Sequence, residues 1–116
     1  MTMYRTNRQY QKNWLSKNNH LKILDLGCTH VNYWKEANQF ADIVDYTNEF
    51  KSKNLKFTLI APNQKLPFKN KEFDYVILSH VLEHVENIYE FSKEIERISK
   101  RGYIEIPTKL ADNLTF

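Results

Sequence analysis

Glycine and cysteine are nearly absent from this chain of 116 residues, which has two glycines, Gly27 and Gly102, and one cysteine, Cys28. A lone cysteine cannot close an internal disulfide, which excludes a stapled secreted scaffold and suits a reducing, cytoplasmic compartment. With so few glycines and only three prolines, there is little from which to build flexible interdomain linkers. No apolar run approaches the length of about 18 residues that a membrane span needs, so no membrane association is expected. No charged, then apolar, then small-residue opening marks a secretory signal. The start of the chain is rich in Asn, Lys and Gln rather than Ser, unlike an organelle transit peptide.

Acids are also missing from residues 1–22. Arg5, Arg8, Lys12, Lys17 and Lys22 all fall there, leaving the other 12 basic residues against all 14 acids. Such a leader, carrying Tyr4, Tyr10 and Trp14, has the residue types that contact phosphates and stack on bases. Five charges over 22 residues are nevertheless a thin patch. A solvated helix face whose aromatics dock on the core is the simpler reading, and nucleic acid is not an expected partner.

What is present is enough apolar material for one core: 41% hydrophobic and 14% aromatic residues. A chain of this length forms one domain. We expect a single unit over 1–116, with an N-terminal helix within 1–20, a core over 21–107 and a tail at 108–116. Tyr10 and Trp14, four apart, predict a helix over 4–18. Strands are predicted at 21–26, 41–46, 56–60, 73–79 and 103–106. A helix is expected at about 30–39 and a clearer one at 87–99, where Ile88, Phe91, Ile95 and Ile98 share one side. The polar stretch 47–54 reads as a connector, and Gly102 as the residue that ends the last helix. The unbroken apolar run in the fourth strand suits a central position covered on both faces. Strands alternating with helices define an α/β fold, a doubly wound, Rossmann-like parallel sheet of order 3-2-1-4-5.

The chemistry concentrates at two strand ends. Lys22-Ile23-Leu24-Asp25-Leu26-Gly27-Cys28-Thr29 runs a buried strand into a glycine turn. Asp45 closes another apolar run 20 positions after Asp25. A turn that backbone can share with a ligand, and a carboxylate able to accept two ribose hydroxyls, together describe a nucleoside-cofactor site. The first string resembles the opening motif of the class I S-adenosylmethionine-dependent methyltransferases, an apolar run followed by D-x-G-x-G-x-G. Thr29 and Val31 stand where the second and third glycines normally sit, which would add bulk near the cofactor. Leu66-Pro67-Phe68 and the run Phe73-Asp74-Tyr75-Val76-Ile77-Leu78-Ser79-His80-Val81-Leu82-Glu83-His84-Val85 resemble the fourth-strand region of small-molecule members of that family.

The resemblance implies S-adenosyl-L-methionine as cofactor and methyl transfer to a small-molecule acceptor. In its terms Asp25, Gly27, Cys28 and Thr29 form the turn around the amino-acid end of the cofactor. Asp45 takes the ribose and Tyr46 packs on the adenine. Asn63 stands in for the acid that usually meets the adenine amino group. Ser79 and His80 face the sulfonium and the acceptor, with His80 the candidate catalytic base. His80-Val81-Leu82-Glu83-His84 also spells a zinc-protease pattern, and its placement matches a divalent-ion motif of some O-methyltransferases. Loop-capping hydrogen bonds from Glu83 and His84 are the simpler account, and no metal is expected. The family fold carries two further strands that have no residues here. A fold-retaining, catalytically inactive binding module is therefore the alternative reading. It leaves the fifth strand as an open edge, where a homodimer or partner protein is expected.

Overall fold

The computed structural model describes residues 2–4, 7–79, 81 and 85–105. In chain order the elements are β1 (Thr2–Tyr4), α1 (Arg8–Lys17), β2 (Ile23–Leu26), β3 (Gln39–Asp42), α2 (Thr47–Ser52), β4 (Lys56–Leu59), β5 (Tyr75–Ser79), α3 (Ile88–Ile98) and β6 (Arg101–Glu105). They build one sheet of order β1-β6-β5-β2-β3-β4, in which every neighbouring pair is parallel. Counting only the five expected strands, this is the 3-2-1-4-5 order. The central strands β2 and β5 are buried on both faces because their side chains alternate between two clusters. Leu24, Leu26, Val76, Leu78 and Ile104 pack with Ile95 and Ile98 of α3. Ile23, Tyr75, Ile77 and Tyr103 point the other way, towards Leu15, Trp34, Phe40 and Phe50.

Several expected elements fall differently, each for a local reason. The N-terminal helix starts at Arg8, not at residue 4, because the Asn7 side chain accepts from the Tyr10 N–H and caps it there. Ahead of it, Thr2–Tyr4 form β1, which pairs Met3 with Gly102 and Tyr4 with Tyr103. The edge expected to be open at β6 is therefore occupied by the chain's own first strand, which pairs with that edge's backbone groups. Of the two aromatics expected on the inward face of α1, Trp14 packs on the core, with its ring 5.7 Å from that of Tyr75, and Tyr10 does not. Tyr10 is 61% exposed, while Gln11 and Leu15 are buried, and Arg8, Gln11, Lys12 and Leu15 share the inner side at helical spacing.

No helix forms at 30–39; residues 30–38 are turns, bends and irregular backbone, and Gln39 already opens β3. Side chains take the place of the helical hydrogen bonds. Thr29 Oγ1 accepts from the Asn32 N–H at 2.9 Å and Asp25 Oδ2 from the Trp34 N–H at 2.8 Å, while Asn38 Oδ1 ties the end of the stretch to β2 by accepting from the Ile23 N–H at 2.9 Å. The second strand ends at Asp42, not at 46, because Asp42 Oδ1 turns back to accept from the Val44 N–H. The 47–54 connector contains α2, held to the core by the fully buried Phe50. Gly102 lies inside β6; α3 ends at Ser99, which is extended and whose hydroxyl donates to the Ile95 carbonyl. The Leu66-Pro67-Phe68 turn is gripped from α3: Arg97 donates to the Leu66 and Phe68 carbonyls, and Glu94 accepts from the Leu66 N–H.

Three cations of the basic leader are committed within the molecule, Arg8 to Glu105, Lys12 to Glu36 and Lys22 to Glu72, at 3.0–3.1 Å.

Two outcomes follow from this packing. Gly27 has φ +85°, and a Cβ there would meet Val81 Cγ2 at 2.8 Å. Gly27→Ala should therefore cost about 2–4 kcal/mol, combining left-handed strain with overpacking. A urea midpoint within error of the parent would show that Val81 yields freely. Removing residues 1–4 should bare the β6 edge and produce concentration-dependent self-association in sedimentation velocity; a monomer at all concentrations would show that β1 does not guard it.

Candidate functional site

The carboxyl ends of β4, β3, β2 and β5 lie side by side in the sheet, so the loops that follow them share one edge. Doubly wound sheets bind ligands at this edge, where the crossovers diverge to either side; here that point lies between β2 and β5. The expected cofactor residues are distributed along it. Asp25, Gly27, Cys28 and Thr29 are at the end of β2, Asp45 and Tyr46 follow β3, Asn63 follows β4, and Ser79 ends β5.

Asp25 is 1% exposed and points to the α1 side of the sheet. Burial pushes its carboxyl from the ordinary range up to about 7, against the Trp34 N–H and the charges of Lys12 and Arg8, which favour ionisation. Its bond to Trp34 closes the loop after β2 and places the indole ring under α1. Cys28 is buried with its Sγ 3.7 Å from the Ala41 carbonyl, and burial pushes its thiol pKa upward, so it is a packing residue rather than a nucleophile. Neither Thr29 nor Val31 plugs the turn. Thr29 is turned to the Asn32 N–H, and Val31 is 79% exposed. The side chain that meets Gly27 is instead Val81, arriving from beyond β5.

Asp45 lies three positions past β3, fully exposed, and accepts from both the backbone N–H and the hydroxyl of Thr47. Those bonds hold its carboxyl below the usual range, so it is ionised at neutral pH. Tyr46 is half-buried, with the His30 ring 5.1 Å away across the two loops. Asn63 is exposed, with φ 57° in the turn after Pro62. Ser79 donates to Glu105 Oε1 at 2.7 Å. His80, Glu83 and His84 lie outside the described residues; among the described ones no group of three metal-ligating side chains gathers.

The sequence reading missed a second cluster on the other side of Ser79. Glu105 ends β6 in register with Ser79. It accepts from Arg8 Nη1 at 3.1 Å and from the Tyr103 hydroxyl at 2.8 Å. Burial first, and then the bond to Glu105, pushes the Tyr103 hydroxyl pKa upward. Trp34 lies 5.4 Å from the Tyr103 ring, with the Arg8 guanidinium 4.9 Å and the Lys12 ammonium 4.6 Å from its ring centre. Its buried indole N–H finds no hydrogen-bond partner among the described residues. The available signals were faint: an acid closing the apolar run Tyr103-Ile104-Glu105, and the 8-11-12-15 spacing on α1.

Residues 24–104 match a family model described as a methyltransferase domain, and the chain belongs to that family. Its fold is similar to that of a SAM-dependent methyltransferase from Aquifex aeolicus, with TM-score 0.54 and 15% identity over 77% of this chain and 58% of that one. It is also similar to the trans-methyltransferase CalH in complex with SAH, with TM-score 0.57 and 17% identity over 78% of this chain and 32% of that one. An uncharacterized protein of Methanocaldococcus jannaschii is 43% identical over 44 residues, covering 38% of this chain and 22% of that protein. The chain thus spans about a fifth of that relative and between a third and three-fifths of the two solved structures.

The buried carboxyl gives a pH signature. A carboxyl whose folded pKa lies above its unfolded one binds protons more tightly when folded, so stability falls as pH rises between the two values. Between about pH 4 and about pH 7, Asp25 should therefore withdraw stability on the order of a few kcal/mol. Asp25→Asn, which can still accept from the Trp34 N–H, should flatten that slope. Equal urea midpoints for the parent at pH 5 and pH 7.5 would contradict the assignment. Glu72, Asp74 and Glu94, whose values are lowered, act in the opposite sense and below this window.

Proposed function

We propose that this chain is the catalytic domain of an S-adenosylmethionine-dependent methyltransferase that acts on a small-molecule acceptor in the cytoplasm. The observation that carries this reading is the convergence of a glycine turn, an ionised exposed acid and a half-buried aromatic at adjacent strand ends. Asp45 would accept the ribose hydroxyls, with Tyr46 and His30 offering ring faces beside it and Asn63 an amide for the base. Asp25 holds the turn through Trp34, and Gly27 carries the backbone through a conformation that side chains resist. The cofactor would supply a methyl group activated by a sulfonium. Ser79 would bring a hydroxyl to the acceptor side, and His80 would take a proton from an acceptor that needs to lose one. In this reading residues 1–116 act as one domain. Among the described residues no helix is long and apolar enough to cross a membrane.

The packing of Val81 on Gly27 favours a second reading, a methyltransferase-like binding module without transfer activity, since a protein side chain fills the approach expected to be open to ligand. Thermal denaturation with S-adenosylhomocysteine separates the two. At a hundred times its dissociation constant the ligand should add about 2.7 kcal/mol of stability, and Asp45→Ala should remove most of that increment. No shift at millimolar ligand would leave the inactive module as the better account.

A further inference from the structure

The cluster around Glu105 already holds a cation, supplied by the chain itself. The Glu105 side chain is only 15% exposed, and a carboxylate so placed needs a counter-charge. That charge comes from Arg8, which is 42% exposed and reaches in from a different element. Arg8 opens α1, whose first turn contains no acid, and a cation at a helix N-terminus works against the helix dipole. Arg8 is therefore not placed there for the benefit of its own helix. Its guanidinium lies 4.9 Å from the centre of the Trp34 ring, and Tyr103 adds a second ring 5.4 Å from the first. Aromatic faces beside a carboxylate form a recognition site for positively charged nitrogen. Ser79, the register partner of Glu105, places this site at the end of β5, on the acceptor side of the edge described above.

We propose that Glu105, Trp34 and Tyr103 form a pocket for a cationic nitrogen group, an amine or guanidine, of the methyl acceptor, and that Arg8 fills it in the free protein. The acceptor role rests on the methyltransferase reading; the cation pocket does not. The acceptor's charged group displaces Arg8 and takes over its contacts with the carboxylate and the indole.

The test is a titration, without S-adenosylmethionine, of the full chain and its Arg8→Met variant with n-butylguanidinium, n-butylammonium and the neutral n-butylurea, followed by calorimetry. Removing the Arg8 guanidinium, with Lys12 still beside the indole, should let the variant bind butylguanidinium at least tenfold more tightly than the parent, with no such gain for butylurea. Adding Glu105→Gln to Arg8→Met should abolish the gain. Equal gains for the guanidinium and the urea, or a gain that survives Glu105→Gln, would overturn the pocket. Should Arg8→Met be too unstable to titrate, butylguanidinium should restore its far-UV signal, with no matching effect on the Arg8→Met/Glu105→Gln double variant. Rescue of both alike, of neither, or by the urea as well, would overturn it equally. Because the assay contains no methyl donor, a failed pocket leaves the S-adenosylhomocysteine shift intact. A missing shift beside a working pocket would mark a cation-binding module without transfer activity.

Discussion

The bond from the Trp34 N–H to the buried carboxyl of Asp25 organises the whole α1 side of the molecule. It pulls the loop after β2 back over its own strand and drops a tryptophan, 1% exposed, beneath α1. With the indole there, Arg8 and Lys12 find an aromatic face, and the polar inner side of α1 acquires partners. Gln11 accepts from the Tyr75 hydroxyl in the same layer. Without that bond a backbone donor would be stranded in the interior and the acid left buried with one partner fewer. The cost of holding Asp25 is visible in its raised pKa, and the hold it gives on the loop offsets that cost.

The two sides of the sheet are built on different physics. Beneath α3 the contacts are mostly aliphatic around the buried Phe73, which Phe68 meets edge-on, and Glu94 and Arg97 act at the rim to clamp the Leu66-Pro67-Phe68 turn. Beneath α1 and α2 the layer is aromatic, with Phe40, Phe50 and Phe57 stacked and Tyr33 meeting two of them edge-on. Polar groups are threaded through this second layer, from α1 (Arg8, Gln11, Lys12), β2 (Asp25), β5 (the Tyr75 hydroxyl and Ser79) and the end of β6 (Glu105). A layer of that kind presents directional groups beside its aromatic rings.

Much of this was legible in the residues. Five strands and their order followed from apolar runs separated by polar connectors, because parallel strands covered on both faces need unbroken hydrophobic stretches. The family could be read from Asp25, Gly27 and the Phe73-to-Val85 string. Less legible were the elements decided by side-chain competition. The 30–39 stretch was expected to be a helix, yet Thr29 and Asp25 claim the Asn32 and Trp34 N–H groups. Residues 47–54 look like a linker until Phe50 finds a pocket. The Glu105 cluster joins residues 97 positions apart, and no local pattern reports a pairing of that range.

The amino-acid order by itself determined which segments had to be buried and therefore the α/β layering, since burial follows from hydrophobic content that any single segment carries. Tertiary structure alone decided which polar groups meet. It sent Thr2–Tyr4 to the β6 edge, set Val81 against Gly27, and brought Arg8 to Glu105. The reason is geometric: hydrogen bonds and ion pairs act over a few ångströms and in chosen directions, so they exist only after the strands have placed distant residues side by side.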